Sequence, residues 1–373
     1  MRPVTILHTA DWHAGAKSAF LASKSEKRSF EIFSTIQNIL TLCRQKSVDL
    51  MLIAGDIFEN NGVDAAFVDG ILNAFQAIPD TRIVIACGNH DPLSDDHPFL
   101  SRNLPENVFL LKTRDDCLTF SDLSCRVYGR SFSGVYECGE SRFSLEVPKD
   151  DWVNLMVLHG DLAADPSSPY NAVSAEFINQ SGMDYIALGH IHKCSPLQKS
   201  PGGTVYAYCG CPEGMGFDES GEKGVYLGEV SKGKADLQFY KTGVRTLFAD
   251  TLPLTEEEDA ADAIDDYLNT HGQREQDLYR LKLTGTLREK PTVSKLLGRF
   301  EATCYFLKLK DLTRPVLNLS ALESEPSLKG MFVQKMQKKI RECQDENERK
   351  NLEDALFYGL AAFEGEVKGL EDS

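Results

Sequence analysis

The sequence predicts an α/β fold, and three observations carry that expectation. Five continuous apolar runs, at residues 4–7, 50–54, 83–86, 155–158 and 185–188, have the length and lack of alternation of strands buried on both faces. Between the first three runs lie segments whose apolar residues recur at helical spacing. Each run is soon followed by a short motif of oxygen and nitrogen donors: Asp11-Trp12-His13, Gly55-Asp56, Gly88-Asn89-His90-Asp91, His159-Gly160 and Gly189-His190-Ile191-His192.

Taken in order, the first run leads to Asp11 and His13. A helix is expected over residues 26–46, docking Phe30, Phe33, Ile36, Ile39, Leu40 and Cys43 on a sheet. The second run ends at Gly55-Asp56. A second amphipathic helix follows, carrying Phe67, Val68, Ile71, Leu72 and Phe75, before the third run and Gly88-Asn89-His90-Asp91. The fourth run leads into His159 and a loop at residues 161–170 rich in Asp, Pro and Ser. The fifth ends at Gly189. Alternating strand and helix argues for an α/β sheet, which exposes ligand-binding side chains at the C-terminal ends of its strands. Glycine at Gly55, Gly88 and Gly189 permits tight turns and close approach there. Five of the eight histidines fall in these motifs. Asp, Asn and His clustered at one sheet edge suit divalent metals, and no cysteine lies in any motif, which excludes a structural zinc site.

Past about Arg245 the composition shifts. Thr255-Glu256-Glu257-Glu258 reads as a capping box opening an acidic helix whose inner face is Ala263, Ile264, Tyr267 and Leu268. Residues 278–283 and 305–310 alternate apolar and basic, as half-exposed strands do, with Arg280, Lys282, Lys308 and Lys310 on the polar side. The end of the chain reads as two helices. Met331, Phe332, Met336 and Ile340 line one. Leu352, Leu356, Leu360 and Phe363 line the other, with Tyr358 and Val367 nearby.

A chain of 373 residues with 42% hydrophobic composition has room for two or three domains around a large core. The expected compartment is the cytoplasm: ten cysteines at irregular spacing do not form a disulfide framework, the start reads as a strand rather than a signal segment, and no run reaches membrane-spanning length. A formal net charge of −16 argues against a protein that simply coats DNA, although bound metals or a basic partner would offset it locally.

The motif order D-x-H, G-D, G-N-H-D, H and G-H-x-H resembles the calcineurin-like metallophosphoesterases. Residues 183–192, and Gly214-Met215-Gly216-Phe217-Asp218-Glu219 before Lys223-Gly224-Val225, resemble the SbcD-type DNA repair nuclease subunits within that superfamily. The resemblance implies two packed β-sheets flanked by helices and a centre of two divalent ions, Mn²⁺ first and Fe²⁺ as the alternative. Asp11, His13, Asp56 and His192 match the ligands of one ion; Asp56, Asn89, His159 and His190 match those of the other, with Asp56 bridging. His90 matches the residue that acts on the scissile phosphate. Asp91 is expected to orient a histidine ring from behind.

The resemblance further implies a nuclease domain over 1–245, a small α+β cap over 246–320 with possible DNA contacts, and a helical tail over 325–373 that docks on an SMC-like coiled-coil ATPase of the SbcC type. It leaves room for a homodimer and gives no reason to expect a membrane. A helical hairpin packed within the chain is the competing reading of the tail. No Walker-type loop occurs, so ATP dependence would come from the partner.

Two departures stand out: Glu59 occupies a position where many members carry histidine, and Tyr208-Cys209-Gly210-Cys211 replaces the usual Pro-Gly-Ser. Glu59 can hold water or a metal-bound ligand but cannot act as an imidazole. Both cysteines read as small buried residues. The function expected is an exonuclease or endonuclease subunit in DNA repair. A phosphoesterase for small phosphoesters, nucleotides or phosphoproteins, and a non-catalytic DNA-end tether, remain as alternatives.

Overall fold

The computed structural model describes residues 2–140, 143–144, 146–162 and 167–363. The chain opens with β1 (Val4–Thr9), α1 (Ser25–Gln45), β2 (Leu50–Ala54), α2 (Ala65–Gln76), β3 (Arg82–Ala86) and β4 (Val108–Leu110). It continues with β5 (Asp116–Phe120), β6 (Cys125–Gly129), β7 (Glu137–Glu140), β8 (Val153–His159), β9 (Tyr170–Ala172), α3 (Ala175–Gln180), β10 (Tyr185–Gly189), β11 (Gln198–Lys199) and β12 (Val205–Tyr208). A hairpin of β13 (Gly224–Ser231) and β14 (Lys234–Lys241) follows.

Apart from β7 and β9, which pair with each other, these strands form two six-stranded mixed sheets, ordered β14-β13-β1-β2-β3-β4 and β11-β12-β10-β8-β6-β5. The five expected runs are β1, β2, β3, β8 and β10. They lie side by side and parallel within their sheets, with β2 and β8 buried throughout. Val4, Ile6, Leu52 and Val84 of one sheet share a core with Val127, Leu155, Val157 and Ala187 of the other. On its opposite face the first sheet packs Leu7, Met51, Ile53 and Ile85 against Ile32, Ile36 and Ile39 of α1 and Val68, Ile71 and Phe75 of α2. The second sheet packs Met156, Leu158 and Ile186 against Ile178 of α3. Two packed sheets flanked by helices is therefore the observed architecture.

Phe30 does not lie on the sheet-facing side of α1, contrary to the helical pattern. Phe30 is 68% exposed rather than docked on the sheet, and Ile32 takes the buried place. Phe30 instead faces Phe67 of α2, with ring centroids 6.3 Å apart and nearly parallel planes.

The remainder comprises β15 (Leu247–Leu254), α4 (Ala260–Thr270), β16 (Leu278–Leu287), α5 (Val293–Phe300), β17 (Phe306–Asp311), β18 (Arg314–Pro315), α6 (Leu319–Glu323), α7 (Leu328–Glu342) and α8 (Glu346–Phe363). Packing divides the chain into one unit of residues 1–252, 264–282 and 293–310, and another of 253–263, 283–292 and 311–373. In the first, Leu247 and Leu278 share a cluster with Leu21 and Phe217, and Arg280 lies over the Phe217 ring at 5.1 Å. Also in that unit, buried Arg28 joins Glu31 to Glu213, and Arg245 grips Glu31 while stacking on Tyr305.

In the second unit, Thr255 and Glu258 do pair, but the helix starts later. Asp259 Oδ1 accepts the amides of Ala261 and Asp262 and is the actual cap. The two terminal helices pack on each other. Val333, Leu356 and Leu360 are buried among Phe332, Met336 and Ile340, whereas Met331, Tyr358 and Phe363 face outward. Leu356 is thus part of the hairpin's own core rather than a contact surface. Val367 lies outside the described residues. No described helix is long and apolar enough to cross a membrane.

Candidate metal centre

The C-terminal ends of β1, β2, β3, β8 and β10 deliver the five motifs to one region. Backbone bonds tie the first two loops together: Asp11 N–H donates to Gly55 O and His13 N–H to Asp56 O, both at 3.0 Å. Asp11, His13, Asp56 and His190 all have positive φ, at 54°, 46°, 53° and 102°. Non-glycine residues rarely hold that conformation, which costs of order 1–3 kcal/mol each and gathers at functional sites. At Gly88 a Cβ would fall 2.1 Å from Asp56 Oδ1, so only glycine lets this loop pass the carboxylate.

Asp56 sits between two groups of donors. Its Oδ1 accepts the His90 amide at 2.9 Å, leaving Oδ2 at 3.7 Å from His13 Nε2 and 3.4 Å from His159 Nε2. Donor atoms of Asp11, His13 and His192 converge within 4.8 Å, as do those of Asp11, Asp56 and His159. Asn89 Oδ1 is 2.9 Å from His159 Nε2. His190 stands beside His159, ring centroids 5.2 Å apart and against Tyr170, but is not in these converging groups among the described residues. His90 does converge with His13 and Asp56. It is exposed, and its Nδ1 meets Glu59 O at 3.1 Å.

The histidine tautomers follow from their outer partners. His13 Nδ1 donates to Glu59 Oε2 at 2.9 Å, His159 Nδ1 donates to Ala54 O at 2.8 Å, and His192 Nδ1 donates to Glu219 Oε1. Each Nε2 is therefore left to present a lone pair inward. His13 Nε2 and His192 Nε2 face one another at 3.1 Å, and His159 Nε2 faces the Asn89 oxygen. Acceptors opposed at such distances need a cation between them. Neutral imidazole nitrogens, carboxylates and an amide oxygen fit two divalent cations.

Without metal, protons meet that need. Burial alone would lower His13, but the Glu59 hydrogen bond and the charges of Asp56 and Asp11 raise its pKa to about 9. Burial opposes protonation of His159 as well, and Asp56 and Asp11 lift it to about 9. His190 is pushed down to about 4 by burial and by the His159 charge. Burial would raise Glu219, yet His192 and the Met215 amide hold it down at about 2. For Asp56, burial is likewise outweighed by His159 and His13, and its pKa falls.

Asp91 does not orient a histidine ring. It is fully buried and accepts four backbone amides, of Asp56, Ile57, Phe58 and Gly88, at 2.7–3.2 Å. Its role is to pin the Asp56 loop to the glycine turn. The carboxylates that do orient rings are Glu59 and Glu219. Glu59 was legible only as a departure from the usual histidine, and Glu219 only as the end of a motif without a role. Cys209 and Cys211 are buried as expected; Cys211 Sγ lies 3.8 Å behind Glu219 Oε2, and burial pushes its thiol pKa far up.

Several known proteins are similar to this chain. The uncharacterized metallophosphoesterase YhaO of Bacillus subtilis is 26% identical over 255 residues, 64% of this chain and 60% of that protein. The SbcD subunit of the nuclease SbcCD of Escherichia coli is 27% identical over 274 residues, 62% of this chain and 66% of its own length. The DNA double-strand break repair protein Mre11 of Methanopyrus kandleri is 26% identical over 252 residues, 61% of this chain and 54% of that protein. The chain thus spans less than two thirds of each of these relatives. The pattern of the family described as calcineurin-like phosphoesterase matches residues 4–194, just over half of the sequence. With the strand-end donors in place at the edges of two packed sheets, the chain belongs to the calcineurin-like phosphoesterase family.

Proposed function

We propose that this protein is a two-metal phosphodiesterase acting on DNA, a nuclease component in DNA repair that works in the cytoplasm with an SMC-like coiled-coil ATPase. The observation that carries the reading is the set of opposed acceptors around Asp56, each ring held from behind by Glu59, Glu219 or the Ala54 carbonyl. The names of the Escherichia coli and Methanopyrus relatives, a nuclease and a DNA-break repair protein, support the DNA substrate.

Asp11, His13, Asp56 and His192 would hold one ion, and Asp56, Asn89, His159 and His190 the other, with Mn²⁺ the first candidate. When bound, such a pair supplies Lewis acidity toward phosphoryl oxygens and a water-derived nucleophile at neutral pH. The Asp56 charge would offset repulsion between the two cations. His90 donates Nδ1–H to the Glu59 carbonyl, and as the imidazolium it would give its Nε2 proton to the leaving oxygen. On this reading residues 1–245 carry the chemistry, 246–320 help to place DNA, and 325–373 dock the ATPase.

The test is manganese-dependent degradation of end-labelled duplex DNA, compared with hydrolysis of a small aryl phosphodiester. Activity on both supports the proposal. Activity on the small substrate alone, with or without the ATPase, would remove DNA from it.

A further inference from the structure

A cavity of about 890 Å³ opens beside the metal centre, lined by Ala14, Lys17, Phe30, Glu59, Asn60 and Phe67 among others. One wall is the outer side of the catalytic apparatus: Ala14 adjoins His13, and Glu59 holds His13 with its carboxylate and His90 with its carbonyl. The same cavity is lined by the pair Phe30 and Phe67, whose rings are tilted by only 25°. Phe30 is the most exposed phenylalanine of the described residues, at 68%.

The charges in this cavity select among ligands. Lys17 is the one cation in the lining among the described residues, against Glu26, Glu59 and Asp64. Glu59 is engaged with His13, and Asp64 caps α2 by accepting the Ala66 amide. The balance is negative, so the cavity disfavours a phosphate. An uncharged heteroaromatic ring fits better. It can stack on the exposed Phe30 ring, which the half-buried Phe67 backs, and offer amino groups to the acidic rim. The volume lies within the range of sites for small organic ligands.

We infer that this cavity is a nucleobase subsite, in which Phe30 and Phe67 form the stacking platform for the nucleoside flanking the phosphodiester held at Asp56 and His90. The inference rests on the phosphodiesterase function proposed above and specifies which part of a nucleic-acid strand the centre reads. Stacking tolerates every base, because each has a π-face. The platform therefore favours a splayed or single-stranded nucleotide over a stacked duplex end, and gives no sequence preference of its own.

Two measurements on the full-length protein test it. The first compares kcat/KM, with manganese, for thymidine 5′-p-nitrophenyl phosphate and for methyl p-nitrophenyl phosphate, which lacks a base. Phe30→Ala with Phe67→Ala is expected to lower the ratio of the two values by roughly 5-fold or more, the loss of one base–aromatic stack, and mainly through KM. An unchanged ratio overturns the subsite. The second reads stacking without turnover: a short single-stranded oligonucleotide carrying 2-aminopurine, titrated with metal-free protein, should be quenched by the parent chain and not by the double variant. Phe30→Trp should restore quenching. Equal quenching by the parent and the double variant also overturns it. If the parent hydrolyses neither substrate, the phosphodiesterase proposal fails and the titration alone decides the subsite.

Discussion

Glu59 Oε2 lies 2.9 Å from His13 Nδ1, and this contact sets the tautomer that turns the His13 Nε2 lone pair toward Asp56. Glu59→Ala should therefore weaken metal binding by about 10–100-fold, as loss of an outer partner to a ligating histidine does. Glu59→Gln retains an oxygen acceptor and should lose less. Calorimetric titration of metal-free protein with manganese measures both; equal affinity in parent and Glu59→Ala would show that His13 needs no carboxylate.

Asp56 lies between His13 and His159, and the bridging role proposed for it predicts a double loss. Asp56→Asn removes a charge facing both His13 and His159 and should weaken two metal sites together, whereas His13→Ala should chiefly weaken one. Metal content of protein dialysed at graded manganese concentrations separates the two. A single tightly bound ion in the saturated parent protein would rule out the paired centre.

His90 converges with His13 and Asp56 yet is exposed, so its role can be read from one variant. His90→Gln should lose on the order of 10²–10⁴-fold in turnover, the worth of a general acid, while keeping its metal. A matching fall in metal content would make His90 a ligand.

The metal-free protein should be most stable near the ordinary histidine pKa, about 6.5. His13 and His159, raised to about 9, bind protons more tightly when folded. Their contribution is full below 6.5 and is lost as pH climbs through 9. Burial has the opposite effect on His8 and His97, lowering them to about 3 and about 4. The unfolded chain takes up those protons first, so acidification below 6.5 also destabilises. Melting temperatures across this range in a chelating buffer should trace a maximum. Manganese should flatten the alkaline side by replacing the protons on His13 and His159.

The terminal hairpin predicts a contrast between neighbouring residues. Leu356→Glu puts a charge into the cluster of Val333 and Leu360 and should cost on the order of 2–5 kcal/mol, melting the hairpin. Tyr358→Glu and Met331→Glu, on exposed positions, should leave it folded. Circular dichroism and limited proteolysis distinguish these outcomes. Outward residues are therefore the ones to vary when testing the ATPase partner.

By itself the sequence determined the five strands that carry the donor motifs, the residues at their ends and the α/β class. Those features are local: a continuous apolar run such as residues 50–54 has few alternatives to a buried strand, and Asp56 follows it within two positions. It also marked glycines at the strand ends, and the structure supplies the reason at Gly88, whose turn passes the Asp56 carboxylate. Only the tertiary structure decided what stands behind each donor. Asp91 holds amides from two loops, 33–35 residues away in one case and three in the other, rather than a ring. Glu219 reaches His192 across 27 residues. Such partners are chosen by three-dimensional proximity, which no spacing encodes. The same holds for Phe30. Helical periodicity tolerates it at the margin of the apolar face, and only the placement of Ile32 against the sheet turns the phenyl ring outward, toward Phe67 and the cavity beside the metal centre.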